Sequence, residues 1–149
     1  MLQLKKINQE NWRHVANLSV SPDQLDFIET NKESLLEAAF DTKYNWLPLA
    51  LYDEQQLVGF SMIGDYNANT KSIWLDRLMI DQHFQGQRYG KRFLQLILDF
   101  IKESWKIETI ILSAHEENES IFSFYESFGF KNTHQIDKEN GEIIMILEC

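Results

Sequence analysis

The sequence predicts an α/β (α+β) protein: a central mixed, mostly antiparallel sheet with helices on both faces. Three observations carry this. β-rich runs at residues 47–53, 57–64 and 72–80 follow one another through polar turns, as in an antiparallel meander. Residues 90–102 put Phe93, Leu94, Ile97, Leu98 and Ile101 on one helical face. Residues 107–113 are apolar and β-rich, as a strand covered on both sides should be. The 149 residues suffice for one domain, spanning 1–149, with a single well-filled core.

The elements follow in order. Residues 2–7 alternate and form a strand. Trp12, Val15, Ala16 and Leu18 give residues 9–18 helical spacing. Ser21, Pro22 and Asp23 make a helix start, with Ser21 as N-cap and Pro22 in the first turn, and that helix is expected to run to about Phe40. The meander comes next, then the helix at 90–102 and the strand at 107–113. A helix over 118–128 precedes a closing hairpin, residues 130–136 and 141–148, around Asn140 and Gly141. The predicted order is βααβββαβαββ.

Composition excludes several classes. Net charge is −9, a poor surface for nucleic acid, which calls for clustered Lys and Arg. An acidic surface suits a cationic partner, or serves solubility alone. No apolar run approaches the roughly 20 residues of a membrane span, and the first residues lack the pattern of a signal peptide, so a cytoplasmic location without membrane attachment is expected. Cys149 stands alone, so no internal disulfide forms, and no Cys/His cluster predicts a metal site.

The strand at 72–80 hands over to the helix at 90 through a loop bearing Gly86 and Gly90. A helix start offers unpaired N–H groups and the positive end of a dipole, and glycines let the backbone approach a phosphate closely. The loop Gln85, Gly86, Gln87, Arg88, Tyr89, Gly90 resembles the acetyl-CoA signature of the GNAT N-acetyltransferases: Gln/Arg, two residues, Gly, one residue, Gly/Ala. Gln85 and Gly90 match, and Arg88 stands where the central glycine is usual. If that position needs positive φ, arginine costs roughly 1–2 kcal/mol there. If it does not, its N–H still serves the pyrophosphate and its guanidinium adds a contact. Downstream, Asn118, Tyr125, Gly129 and Phe130 match the spacing of the family's Asn…Tyr…Gly-Phe element, with Ile121 in place of the usual alanine. The resemblance covers nearly the whole chain. Residues 21–29, 57–60 and 74–77, with Asn140, Gly141 and Glu142, are further similar to the family's bacterial spermine/spermidine acetyltransferases.

The resemblance implies acetyl transfer from CoA to a primary amine by direct attack on the thioester, without a metal. It assigns cofactor binding to Leu78, Met79 and Ile80 on the fourth strand, to the loop from Gln85 through Gln87, Arg88, Tyr89 and Gly90 to Lys91, and to Asn118. It makes Tyr125 the acid for the departing thiolate. An alkylammonium costs roughly 4.6 kcal/mol to deprotonate at pH 7, so a base is also needed. Asp76 fills that role on the fourth strand, where period-2 alternation would put it on one face with Trp74 and Leu78. A simple salt bridge to Arg77 is the competing reading, and His115, at the end of the fifth strand, is the other candidate base. His14, His83 and His134 have no motif to recommend them.

For the acceptor, Asp26, Glu29, Glu33 and Glu37 are spaced to line one face of the predicted helix, where a cationic amine would relieve their repulsion. The alternative is a solvated face. Glu29 and Glu33 are the expected contacts, beside Asp76, with Tyr44, Trp46 and Tyr66 either walling a slot or packing in the core. A polyamine acceptor, another amine on the same fold, and a CoA-binding module without catalysis all stay open, as does homodimerisation through a C-terminal edge strand.

Overall fold

A computed structural model describes residues 1–149. Seven strands form one sheet in the order β1-β2-β3-β4-β5-β7-β6. Strands β1 (Leu2–Lys6), β2 (Leu47–Asp53), β3 (Gln56–Asn67) and β4 (Ser72–Ile80) pair antiparallel in succession. Strand β5 (Thr109–Ala114) lies parallel to β4, and β7 (Ile143–Glu148) is antiparallel to both β5 and β6 (Lys131–Ile136). The predicted order of elements holds throughout.

Helices cover both faces of the sheet. Helix α3 (Tyr89–Ser104) buries Phe93, Leu94, Ile97, Leu98 and Ile101 against Leu49, Leu51, Ile73, Leu75, Ile110 and Met145. Helix α4 (Glu119–Glu126) adds Tyr125 to the same core. On the opposite face, α1 (Trp12–Asn17) and α2 (Asn31–Phe40) pack over Ala50, Phe60, Met62 and Met79. Asn31 joins these two helices, its buried amide donating to the Val15 carbonyl at 2.8 Å.

The helix expected from residue 21 to 40 is not continuous. Pro22–Gln24 forms only a 3-10 turn, residues 25–28 form turns and a bend, and α2 begins afresh at Asn31. Thr30 causes the restart. It sits in extended conformation (φ −67°, ψ 155°) and accepts from the Glu33 N–H at 3.2 Å, while its hydroxyl meets the Glu33 carboxylate at 3.2 Å. A Thr-x-x-Glu cap sets a helix start there, and a residue fixed as N-cap is not mid-helix.

Two irregularities shape the centre of the sheet. Strands β4 and β5 are paired only from Ser72↔Thr109 to Trp74↔Ile111, and past Trp74 they part. In the same place β4 carries a bulge: Met62 pairs with Arg77 and Ile63 with Leu75, leaving Asp76 as the extra residue. The bulge switches the side-chain parity of the strand. Ile73 and Leu75 face α3, whereas beyond the bulge Leu78 and Ile80 face it and Met79 faces the other core. The expectation that Trp74, Asp76 and Leu78 share one face therefore fails, since alternation does not survive an inserted residue. The fully buried Ser61 holds the bulge by donating its hydroxyl to the Arg77 carbonyl at 2.7 Å.

Strand β6 is the C-terminal edge. Its register shifts between Asn132 and Ile136, with His134 at φ 58°, so its row of backbone groups is interrupted. No helix is long and apolar enough to cross a membrane.

Ser61→Ala removes the donor to the Arg77 carbonyl. It should cost about 1–3 kcal/mol, and a thermal melt should show a fall of about 2–4 °C per kcal/mol. An unchanged midpoint would show that Ser61 does not hold the bulge.

Candidate active site

The parting of β4 and β5 opens a cleft of about 750 Å³. Along one wall, residues 75–80 of β4 have no partner strand on the β5 side. Leu78, Met79 and Ile80 line the cleft there, and Leu112, Ser113 and His115 line the opposite wall.

At one end the cleft meets the start of α3. None of the backbone N–H groups of residues 86–91 has an acceptor within the chain. Gly86 (φ 81°) and Arg88 (φ 65°) are both left-handed and curl this loop into a concave run of donors, the geometry of an anion cradle. A Cβ on Gly86 would meet nothing within 4 Å, so the glycine serves its φ rather than a tight contact. Arg88 takes its strained φ without glycine's freedom, which resolves the alternatives for that position. Gln85 does not offer its amide to the cleft: Nε2 donates to the Ile80 carbonyl and to Gln24 Oε1, both at 2.9 Å, and so anchors the loop. Tyr89 donates to Asp53 Oδ2 at 2.5 Å, and Gln87, Arg88 and Lys91 are exposed at the loop's outer side.

Tyr125 projects from α4 into the cleft. Its ring is held between Phe124 (5.1 Å) and Phe130 (5.5 Å), both edge-on. Gly129 makes the second contact possible, because its φ of 98° turns the chain back so that the Phe130 N–H reaches the Tyr125 carbonyl. The Tyr125 hydroxyl has no hydrogen-bond partner in the chain, and burial pushes its pKa up. It is a neutral donor at physiological pH. Asn118 also lines the cleft at the N-cap position of α4; its Oδ1 accepts from the Ser120 hydroxyl at 3.4 Å, and its Nδ2 donates to nothing within the chain.

The opposite end is acidic. Arg77 Nη1 donates to Asp76 Oδ2 at 2.6 Å, and Nη2 donates to Glu29 Oε2 at 2.6 Å and lies 3.4 Å from Glu37 Oε2. Burial works against the charge of Arg77, but Asp76, Glu29 and Glu37 outweigh it and raise its pKa. Asp76 is pushed up to about 6, by burial first, with Arg77 opposing and Glu29 and Glu142 adding. Glu37 is pushed up to about 8 by burial and by its hydrogen bond to Glu29, while that bond, with Arg77, holds Glu29 down against its own burial. The two glutamates are thus coupled, one held down and the other pushed up. Tyr44 and Trp46 wall this end with rings 5.3 Å apart, and Gly64 permits it: a Cβ there would lie 2.4 Å from the Trp46 ring.

The structure therefore brings together Glu29, Asp76, Tyr125, Asn118 and the β4 residues. It leaves Asp26 and Glu33 outside. Asp26 is exposed in the turn before α2, and Glu33 is spent on the helix cap, so the four-acid stripe does not exist. Tyr66 lies apart, donating to the Lys106 carbonyl. Sequence reasoning missed Arg77 as the centre of the acid cluster and the hairpin acids Asp137, Glu139 and Glu142, which also line the cleft. The Thr30…Glu33 cap was the available signal that Glu29 and Glu37 belong to different segments.

His115 has the wrong hydrogen bond for a base. Its Nδ1 accepts from the Glu117 N–H at 3.2 Å, which leaves the proton of the neutral ring on Nε2 and no free lone pair. Asp76 is ion-paired to Arg77, and burial pushes its pKa up to about 6.

Comparison with known proteins agrees with this architecture. Residues 1–130 match the acetyltransferase (GNAT) family. The chain is 36% identical to the spermine/spermidine N(1)-acetyltransferase of Bacillus subtilis strain 168, over 99% of this chain and 98% of that protein. A probable spermine N(1)-acetyltransferase of Bacillus subtilis subsp. natto matches to the same extent. Among solved structures, spermidine N-acetyltransferase from Vibrio cholerae, in complex with CoA and spermine, superimposes with TM-score 0.78 at 17% identity, over 99% of this chain and 95% of that one. PaiA N-acetyltransferase from Thermoplasma acidophilum, in complex with coenzyme A, gives 0.73 at 20% identity, over 100% and 99%. The chain belongs to the GNAT acetyltransferase family.

Arg88→Gly should relieve about 1 kcal/mol of backbone strain and raise the melting midpoint of the ligand-free protein by about 2–4 °C. A midpoint that stays or falls would mean the arginine side chain repays its conformation within the protein.

Proposed function

We propose that this chain is an acetyl-CoA-dependent N-acetyltransferase whose acceptor is a polyamine of the spermine/spermidine class. The observation that carries the acceptor is the charge of the cleft: Glu29, Glu37 and Asp76 within the cluster, with Asp137, Glu139 and Glu142 from the hairpin, against Arg77 as the one lining Lys or Arg. Such a cleft concentrates a multiply charged cation. The names of the Bacillus relatives support the same class.

The residues fit acetyl-CoA. The free N–H groups of residues 86–91 suit its pyrophosphate, and the unpartnered edge of β4, with Asn118, suits the amides of its pantetheine arm. When bound, acetyl-CoA supplies a thioester carbonyl open to attack by an amine.

The protein's own groups then have two tasks. Asp76, ionised above pH about 6, accepts a proton from the incoming ammonium, directly or through water, so that a neutral amine attacks. Tyr125 donates its free hydroxyl to the departing sulfur. Burial raises the tyrosine above its ordinary range, so it is a weaker acid than a thiol, at about 8.5; its hydroxyl supports the thiolate by hydrogen bonding, and the second proton that the attacking nitrogen loses as the amide forms passes to the sulfur. We assign Leu78, Met79, Ile80 and residues 85–91 to the cofactor, and Glu29, Glu37 and Asp76 to the acceptor. We place the whole chain in one acetyltransferase domain acting in the cytoplasm.

Thiol release from acetyl-CoA, followed over spermine, spermidine, putrescine, an aminoglycoside and an N-terminal peptide, tests the reading. Turnover should be confined to the polyamines, and Glu29→Gln should raise KM for spermidine. Transfer to a different amine alone would sink the polyamine assignment while leaving the cofactor site standing. Tyr125→Phe should lower kcat about a hundredfold with little change in KM. The rate should fall as pH drops through about 6, where Asp76 becomes protonated, and Asp76→Asn should remove that limb together with most of the activity. An acid limb that persists in Asp76→Asn would assign the base elsewhere.

A further inference from the structure

The acids of the cleft have one fixed counter-charge, and it stands among them. Arg77 is not a surface arginine free to swing. Its Nε donates to Ser34 Oγ at 3.2 Å, on a fully buried residue of α2, and its carbonyl is held by Ser61. Its side chain is 14% exposed, against 49% for Glu29 and 30% for Glu37. The guanidinium fork spans Asp76 with one nitrogen and both glutamates with the other, the set of acceptors that an alkylammonium would seek.

We propose that Arg77 is a specificity-determining residue: a tethered cation that occupies the ammonium position between Glu29, Glu37 and Asp76, so that an acceptor is held by its distal charges rather than by its reacting amine. The inference rests on the amine-acetylating reading above. A nitrogen that enters beside the guanidinium meets a like charge, which favours its neutral form, the form that attacks. A distal ammonium meets Asp137, Glu139 and Glu142 with no further lysine or arginine lining the cleft. A monoamine has no distal charge to offer and is rejected.

Binding of spermidine and of butylamine, measured by titration calorimetry at one low ionic strength, tests this on the wild type, Arg77→Gln and Arg77→Lys. Removing a unit charge from the cluster should tighten butylamine binding by about tenfold or more. The preference for spermidine over butylamine should shrink. Arg77→Lys keeps the charge and should stay within about threefold of wild type for both amines. Structural damage does not tighten binding, so a gain reports the charge itself. A folded Arg77→Gln that binds butylamine no better than wild type overturns the inference. Should Arg77→Gln fail to fold, Glu37→Gln and Glu37→Gln/Arg77→Gln repeat the comparison with one carboxylate fewer left unpaired, and the double variant should bind more tightly than the single. A wild type that neither binds nor acetylates spermidine removes the polyamine reading and this inference with it. A wild type that does both, with no tightening in the variants, removes the Arg77 assignment alone.

Discussion

The parting of β4 from β5 is the constraint from which the site follows. Parallel strands stay joined only while their backbone groups bond, and here they do so for residues 72–74 against 109–111. Beyond that, the bulge at Asp76 turns β4 away, and two strand edges face each other across open space. A buried edge leaves N–H and C=O groups in want of partners. A ligand with amides along its length can satisfy them, and the N-terminus of α3 stands at the end of the same edge to take a phosphate. One irregularity in the sheet thus provides both the space and the donors and acceptors that line it.

The same bulge determines the electrostatics. On a regular strand, Asp76 and Arg77 would point to opposite faces. The inserted residue lets Arg77 bond both its neighbour Asp76 and the acids of the α2 region. The outcome is a set of carboxylates with unlike protonation: Glu29 ionised, Glu37 holding a proton to about pH 8, and Asp76 near 6. Three acids around one cation cannot all be equally satisfied. Burial pushes Asp76 and Glu37 up despite Arg77, while the hydrogen bond from Glu37, with Arg77, holds Glu29 down.

The order of elements was legible in the sequence because it rests on local pattern. The runs at 47–53 and 72–80 and the apolar face at 90–102 report their periods directly, and the Asn118…Tyr125…Gly129-Phe130 spacing reports a helix, its stop and the ring that packs on it. The acceptor end was read less well, for two physical reasons. Spacing of 3 and 4 predicts a common face only if the helix is unbroken, and the Thr30 cap breaks it between Glu29 and Glu33. Alternation predicts a strand face only without a bulge, and a bulge leaves no mark in composition. The sequence offered Arg77 only as a partner of the adjacent Asp76, because Glu29 and Glu37 lie 48 and 40 residues away in the chain; no local pattern encodes a contact of that range.

Departures from local rules gather around the cleft, and their kind matters more than their number. Asn45, Glu54, Lys71 and His134 also have positive φ, but they sit in turns, at a helix end or in a bulged edge strand, where such residues are commonplace, and Asp65 takes it at the irregularity of β3 between Gly64 and Asn67. At the cleft, a left-handed arginine opens α3, a tyrosine hydroxyl has no partner within the chain, a run of backbone N–H groups has no acceptor within the chain, and two glutamates are coupled. The last three each suit one kind of occupant: an anion for the N–H groups, a polar acceptor for the tyrosine, a cation for the acids. A cofactor that is anionic at one end and reactive at the other, met by a cationic acceptor, satisfies all of them together. The groups lining the cleft therefore describe the reactants by their charges, which the sequence motifs of the cofactor loop alone do not.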